Sequence, residues 1–286
     1  MESAQSEVES RVEVANTNAQ QSELNTPSPE GGNYWPQKFD LLGVGVSFVD
    51  YQEAVACIAR AAKDLRSGVV GCYSVHALVT ASSDGELRRA VNDFEMVTPD
   101  GQPVRWGMNL LHKTQMSDRV YGPELTLRVC EAAADAGLPI YLYGGTPETI
   151  ERLMENLLQE FPNLQIAGFE SPPFRQLSEE ENDEVCKRIN DSGARITLIG
   201  LGCPKQDYFA IQNKNRIKSV MMCVGAAFDF HAGAKPMAPE WMQKRGLEWV
   251  FRLSCEPHRL WRRYLVTNSI YVGKLGVAAI RSGFSR

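Results

Sequence analysis

Four stretches of the chain set polar side chains and glycines where they can do chemistry. In Thr98-Pro99-Asp100-Gly101, Pro and Gly fix the backbone of a tight turn around one carboxylate. Pro-Asp-Gly is also an ordinary turn. In Tyr143-Gly144-Gly145-Thr146-Pro147-Glu148 two glycines precede a capped helix start, where backbone N–H groups and the helix dipole can hold a phosphate. The stretch has neither a Walker lysine nor a full G-x-G-x-x-G, so a plain strand-to-helix turn fits as well. Gly200-Leu201-Gly202-Cys203-Pro204-Lys205-Gln206-Asp207 repeats the arrangement, and Gln206 offers a donor and an acceptor to a sugar hydroxyl or a phosphate. Cys203 reads as a small buried thiol rather than a nucleophile, because no histidine neighbours it in sequence. In Val224-Gly225-Ala226-Ala227-Phe228-Asp229-Phe230-His231, Asp229 can accept from a uracil imide or a ribose hydroxyl, and His231 reads as a structural histidine.

These stretches need a scaffold that gathers them. From Phe39 onward, apolar runs of four to seven residues alternate with helical periodicity, the pattern of an α/β layer fold. Strands are expected at 41–46, 69–74, 95–98, 139–143, 164–169, 195–200 and 219–225. Asp50 with Glu53, and Ser178 with Glu181, mark helix starts before 51–66 and 179–191. Thr146 with Pro147 marks another start, and Gly137 ends a helix over 123–136. The expected architecture is α/β, a Rossmann-like, mostly parallel sheet with helices on both faces. Such sheets place their sites at the carboxyl ends of strands, which is where all four stretches fall.

Composition narrows the function classes. With 286 residues, 43% of them hydrophobic, the chain is long enough for a sizeable core. A net charge of −5 argues against coating nucleic acid through global basicity. Seven scattered cysteines without a C-x-x-C pair suggest neither a disulfide framework nor a zinc site, and the four histidines show no paired ligand spacing. No D-x-D triplet is present to hold a metal on a nucleotide-sugar diphosphate, so a metal-free, cofactor-free mechanism is expected. The absence of G-x-S-x-G weakens a hydrolase reading.

Three regions follow. Residues 1–36 carry six acids against one base and read as a disordered polar tail, 37–243 as the α/β core, and 244–286 as a basic helical appendage. The appendage holds nine bases against two acids, Glu248 and Glu256, interleaved with Trp249, Phe251, Trp261, Tyr264 and several leucines. That describes either an interfacial helix on an anionic membrane or a helix packed on the core with a solvated basic face. The longest apolar run, Leu265 to Ile280, is interrupted by Asn268, Ser269 and Lys274, short of the roughly 18 apolar residues of a spanning helix. With no secretory signal expected either, the reading is a cytoplasmic protein.

Taken in order, VTPDGQPV, LPIYLYGGTPETIERL, FPNLQIAGFESPPFR, LIGLGCPKQD, VGAAFDFHAG and APEWMQKRGLEWVFRLSCEPHRLWRRY resemble the WecG/TagA/CpsF family of bacterial glycosyltransferases over roughly residues 40–265. The resemblance implies metal-independent, inverting transfer of a hexose or N-acetylhexosamine from a UDP-sugar to a polyprenyl-diphosphate-linked saccharide. The protein would sit peripherally on the inner face of the cytoplasmic membrane, serving cell-surface polysaccharide assembly. It makes Asp100 the general base, and places Gly144, Gly145, Gly202 and Gln206 near the nucleotide sugar and Asp229 at the uracil. Arg252, Arg259, Arg262 and Arg263 would meet the lipid diphosphate or the leaving group. Where many family members have Thr and Asn two residues apart after the second strand, this chain has Cys72 and Ser74, with His76 following. Asp207 replaces a usual Glu, and Met237 stands where an Arg often precedes Ala-Pro. The chain could act as a monomer or a homo-oligomer, and no nucleic-acid partner is expected. Two competing readings are a dinucleotide-dependent oxidoreductase, built on Gly43-Val44-Gly45 or Gly200-Leu201-Gly202, and a non-catalytic membrane-surface binder.

Overall fold

The apolar run 41–46 reads as one strand, yet it folds as a hairpin. Leu42 and Gly43 both take positive φ, 60° and 90°, the two-residue turn whose twist suits antiparallel strands. It joins β1 (Lys38–Leu41) to β2 (Val44–Ser47), with Leu41 opposite Val44. Glycine at 43 was the one sequence signal, and leucine at 42 hid it. The buried Ser47 Oγ accepts from the Val97 N–H at 3.0 Å, so the hairpin lies along the outer edge of the main sheet.

The computed structural model describes residues 34–284. The expected tail lies outside the described residues except for its last three positions. From Trp35 onward the chain forms one compact unit. Its main sheet comprises β3 (Gly68–Tyr73), β4 (Met96–Pro99), β5 (Ile140–Gly144), β6 (Ile166–Glu170), β7 (Ile196–Gly200) and β8 (Val220–Cys223), in the order β4-β3-β8-β7-β5-β6. Every neighbouring pair is parallel. The inner strands are buried along their length, β5 and β8 at every residue, as expected for strands covered on both faces.

Helices α1 (Tyr51–Lys63), α5 (Gly122–Ala136), α6 (Pro147–Glu160) and α9 (Ala227–His231) pack together on one face. On the other, α2 (Val75–Ser83), α3 (Gly85–Asn92), α7 (Glu179–Asp191) and α8 (Lys205–Asn213) share a buried cluster with Tyr73, Tyr143, Ile199 and Cys223. Local chemistry sets their ends. The Asp50 carboxylate accepts from Glu53 N–H at 2.8 Å, Ser178 and Glu181 form a reciprocal capping box, and Gly137 ends α5 in the left-handed region.

The strand order creates the site. From β5 the chain crosses outward to β6, whereas from β7 it crosses inward to β8. Right-handed crossovers therefore send α6 and α8 to opposite faces, and a crevice opens beyond the carboxyl ends of β5 and β7. Gly144 and Gly200 face each other across its floor. A Cβ at Gly144 would lie 2.6 Å from the Gly200 carbonyl carbon, and Gly144 has φ of 133°. Gly144→Ala is expected to cost on the order of 3 kcal/mol or more, read as a lower midpoint in urea unfolding.

The C-terminal segment packs on the core as α10 (Glu240–Lys244), α11 (Glu248–Cys255) and α12 (Pro257–Phe284), with α12 against α2 and α4 (Gln102–His112). The polarity of α12 is the reverse of a solvated basic helix. Its inward side carries Leu260, Arg263, Thr267, Tyr271 and Lys274, of which Lys274 donates to Ser82 Oγ at 2.9 Å. Its outward side exposes Trp261, Leu265, Val266, Ile270, Val277 and Ile280, with Arg262 among them. Among the described residues no helix is long and apolar enough to cross a membrane.

Candidate active site

A pocket of about 1520 Å³ fills the crevice and extends under the C-terminal helices. Its lining includes Asp100, Cys72, Ser74, His76, Gly145, Gly202, Gln206 and Asp229 from the core, and Arg252, Arg259 and Arg263 from the appendage. The structure thus brings eleven sequence-selected residues to one cavity. Gly144 and Arg262 are not among its walls: Gly144 is buried beneath the loop, and Arg262 is exposed on the outer side of α12.

Asp100 follows β4 directly. Its N–H donates to the Tyr73 carbonyl at 3.2 Å, and its own carbonyl accepts from Arg119 Nη1 at 3.3 Å. The carboxylate Oδ1 accepts from the Gly122 N–H at the start of α5. Burial disfavours the charged form and outweighs Arg119 and the Gly122 N–H, so the Asp100 pKa is pushed up to about 6. A carboxylate tuned so near neutrality can take a proton and later give it up.

The glycine loops turn out to use their own amides. Gly145 N–H donates to the Gly200 carbonyl at 3.2 Å, Gly202 N–H to Gln206 Oε1 at 3.1 Å, and Gly225 N–H to the Ile199 carbonyl at 3.2 Å. The amides of Gly145 and Gly202 are therefore not free to cradle a phosphate: the first ties the end of β5 to that of β7, and the second closes its loop onto the Gln206 side chain at the start of α8. Gly202 leaves open space instead, since a Cβ there would meet nothing within 4 Å.

Positive charge reaches the pocket from the appendage. Arg263 has its Nε buried without a hydrogen-bond partner, and burial, together with nearby Arg252 and Arg259, lowers its pKa. Arg252 lies over the Phe230 ring at 5.5 Å, and Arg259 pairs with Glu256. Three guanidinium groups with one directly paired carboxylate, Glu256, bring positive charge to this end of the pocket, a chemistry suited to anions. Asp229 is already paired with Lys235 Nζ at 2.6 Å, so a ligand reaching its carboxylate meets that ammonium as well.

The remaining candidates resolve simply. Burial pushes the Cys203 and Cys72 thiols well up, which makes both poor nucleophiles. His231 shares a 2.9 Å hydrogen bond through Nε2 with the Pro123 carbonyl, the structural role expected of it. Burial lowers the His76 pKa to about 4, keeping it neutral near pH 7. Asp207 accepts from Tyr73 OH at 3.1 Å, is fully buried, and braces α8 against β3. Gly43-Val44-Gly45 belongs to the hairpin rather than to a strand-to-helix turn, so one of the two glycine patterns behind a dinucleotide site is lost.

Residues around Asp100 that spacing alone did not reveal are Arg119, Tyr121 and Glu248. Arg119 Nη1 and Glu248 Oε2 are 2.9 Å apart, with only 7% and 14% of their side chains exposed. Tyr121 OH donates to Glu248 Oε1 at 3.1 Å, and Arg119 stacks on the Tyr121 ring at 4.0 Å. The one hint in the sequence is an acid, Glu248, inside a strongly basic segment.

A family model, described as the glycosyl transferase WecG/TagA/CpsF family, matches residues 39–284. The match spans most of the chain and takes in both the Asp100 turn and the appendage. The chain belongs to this family of glycosyltransferases.

Proposed function

We propose that this family member transfers a hexose or N-acetylhexosamine from a UDP-sugar to a polyprenyl-diphosphate-linked saccharide, with inversion at the anomeric carbon. The observation that carries the reading is that Asp100 and three arginines line one pocket. At about 1520 Å³ it exceeds the roughly 300–1,000 Å³ of a typical single-ligand site, leaving room for donor and acceptor together.

In this reading the acceptor hydroxyl oxygen attacks the anomeric carbon while the bond from that carbon to the diphosphate oxygen breaks. The hydroxyl proton passes to the Asp100 carboxylate, and the electron pair of the breaking bond leaves with UDP. Arg252, Arg259 and Arg263 meet the charge that develops on the diphosphate, taking the part a divalent cation plays elsewhere. Gln206, Gly145 and Gly202 border the donor, Asp229 with Lys235 faces the nucleotide, and Cys72, Ser74 and His76 shape the wall beside Asp100.

The outer side of α12 supports attachment to the inner face of the cytoplasmic membrane, where the acceptor resides. Six exposed apolar residues on the outer side of that helix, accompanied by Arg262, suit an anionic lipid surface better than water. The division into tail, core 37–243 and appendage 244–286 is then functional: the appendage supplies both the lipid contact and the arginines.

UDP binding separates this reading from a dinucleotide enzyme. At a hundredfold excess over Kd, UDP is expected to raise the melting temperature by about 5–10 °C, with no shift from NAD. Transfer to a polyprenyl-diphosphate sugar should persist in excess chelator. Stabilisation by NAD alone, or turnover lost to chelator, would contradict the proposal.

A further inference from the structure

Two contacts from the appendage bear on the segment around Asp100, one relayed through Arg119 and one at the start of α4. The Asp100 carbonyl accepts from Arg119 Nη1. The same guanidinium is fixed by Glu248 Oε2 at 2.9 Å and by Gln243 Oε1 at 3.1 Å. Just beyond the turn, at the start of α4, the Pro103 carbonyl accepts from Tyr271 OH at 2.7 Å. Tyr271 lies on α12, 168 residues further along the chain, and is 3% exposed. It reaches Pro103 only because residue 107 on α4 is glycine, since a Cβ there would land on the Tyr271 hydroxyl. Between the two contacts, Gln102 Nε2 donates to Asp118 Oδ1 at 2.7 Å, tying the turn to the loop that carries Arg119.

We propose that the appendage positions the base, with Glu248 acting through Arg119 on the turn and Tyr271 acting on the first helical turn of α4 that follows it. Both are positioning residues, and their action is distinct from that of the pocket arginines. The inference rests on the reading of Asp100 as general base. A reacting group moved by about 1 Å can lose as much as a hundredfold in rate, so two buried clamps, one on Asp100 and one three residues on in α4, bear directly on turnover.

The test uses the full-length chain, a UDP-sugar and a polyprenyl-diphosphate sugar acceptor. Tyr271→Phe removes one hydroxyl and is expected to lower kcat about tenfold with the Kd for UDP unchanged. Glu248→Ala should lower kcat at least as much, and Glu248→Gln, which keeps one oxygen for Arg119 and turns its amide N–H toward the Tyr121 hydroxyl as acceptor, should recover most of the loss.

The pH profile adds a readout that general loosening would not move. The charged groups around Asp100 are Arg119, Glu248 and Arg252, with Tyr51, Tyr121 and Cys72 neutral over the working range. Removing the Glu248 charge takes away a group that favours protonated Asp100. The acid limb of kcat/KM should therefore move to lower pH in Glu248→Gln and stay in place in Tyr271→Phe. Parental kcat in both Tyr271→Phe and Glu248→Ala would overturn the positioning role. Parental kcat in Asp100→Asn would instead overturn the base on which it rests, so the two failures are distinguishable.

Discussion

Asp100→Asn is expected to lower kcat by roughly 10²–10⁴-fold while leaving UDP affinity within about twofold, as measured by single-turnover transfer and by calorimetry. Asn keeps the shape of the side chain and an oxygen for the Gly122 N–H, but cannot take a proton from the acceptor. The pH dependence follows from burial. The base works only as the carboxylate, and its pKa is pushed up to about 6, so kcat/KM of the parent should rise with pH through about 6 and then level off. The variant should lose that limb. The same shift bears on stability with a definite sign: a carboxylate whose pKa is raised on folding favours the native state at low pH and loses that contribution as pH rises through about 6. The variant should therefore be no less stable than the parent at pH 8, and its lost turnover is not an effect of unfolding.

The second large effect concerns the leaving group. Arg263 is one of three appendage arginines that line the pocket, and its buried Nε has no hydrogen-bond partner within the protein. Arg263→Ala is expected to reduce kcat by about 10²–10³-fold, the usual cost of deleting one preorganised donor at a developing charge. The loss in kcat should exceed the loss in UDP affinity, because the charge on the bridging oxygen is larger in the transition state than in the bound donor. Removing the residues after Arg245 deletes Arg252, Arg259 and Arg263 together with Glu248 and Tyr271, and should abolish transfer to the lipid acceptor. Full activity of that truncated chain would contradict both the anion site and the positioning role. Equal losses in affinity and in kcat for Arg263→Ala would mean that it binds donor without favouring the transition state.

The reach of sequence reasoning here followed the range of the interactions. Strands such as 195–200 and helices such as 179–191 were legible because a continuous apolar run and a capping box act over a few residues. The hairpin at 41–46 was not, since positive φ at Leu42 is set by packing rather than by a local preference. Asp100, Gln206 and the arginines stood out through turn chemistry, strand-end position and local charge. Gly144 and Gly145 looked like phosphate ligands because a glycine pair before a helix is ambiguous. Close approach to Gly200 explains the first, and a strand-end hydrogen bond the second. Arg119, Glu248 and Tyr271 escaped notice because the partners of Glu248 and Tyr271 lie 129 and 168 residues away. No spacing rule carries such pairs.

The central claim is geometric and is tested most directly by a crystal structure of the chain with an unreactive UDP-sugar analogue and an acceptor diphosphate sugar. The account predicts the donor diphosphate among Arg252, Arg259 and Arg263, with an acceptor hydroxyl within about 3 Å of the Asp100 carboxylate on the opposite side of the anomeric carbon. A diphosphate lying on the same side as Asp100, or an acceptor hydroxyl beyond the reach of that carboxylate, would contradict it.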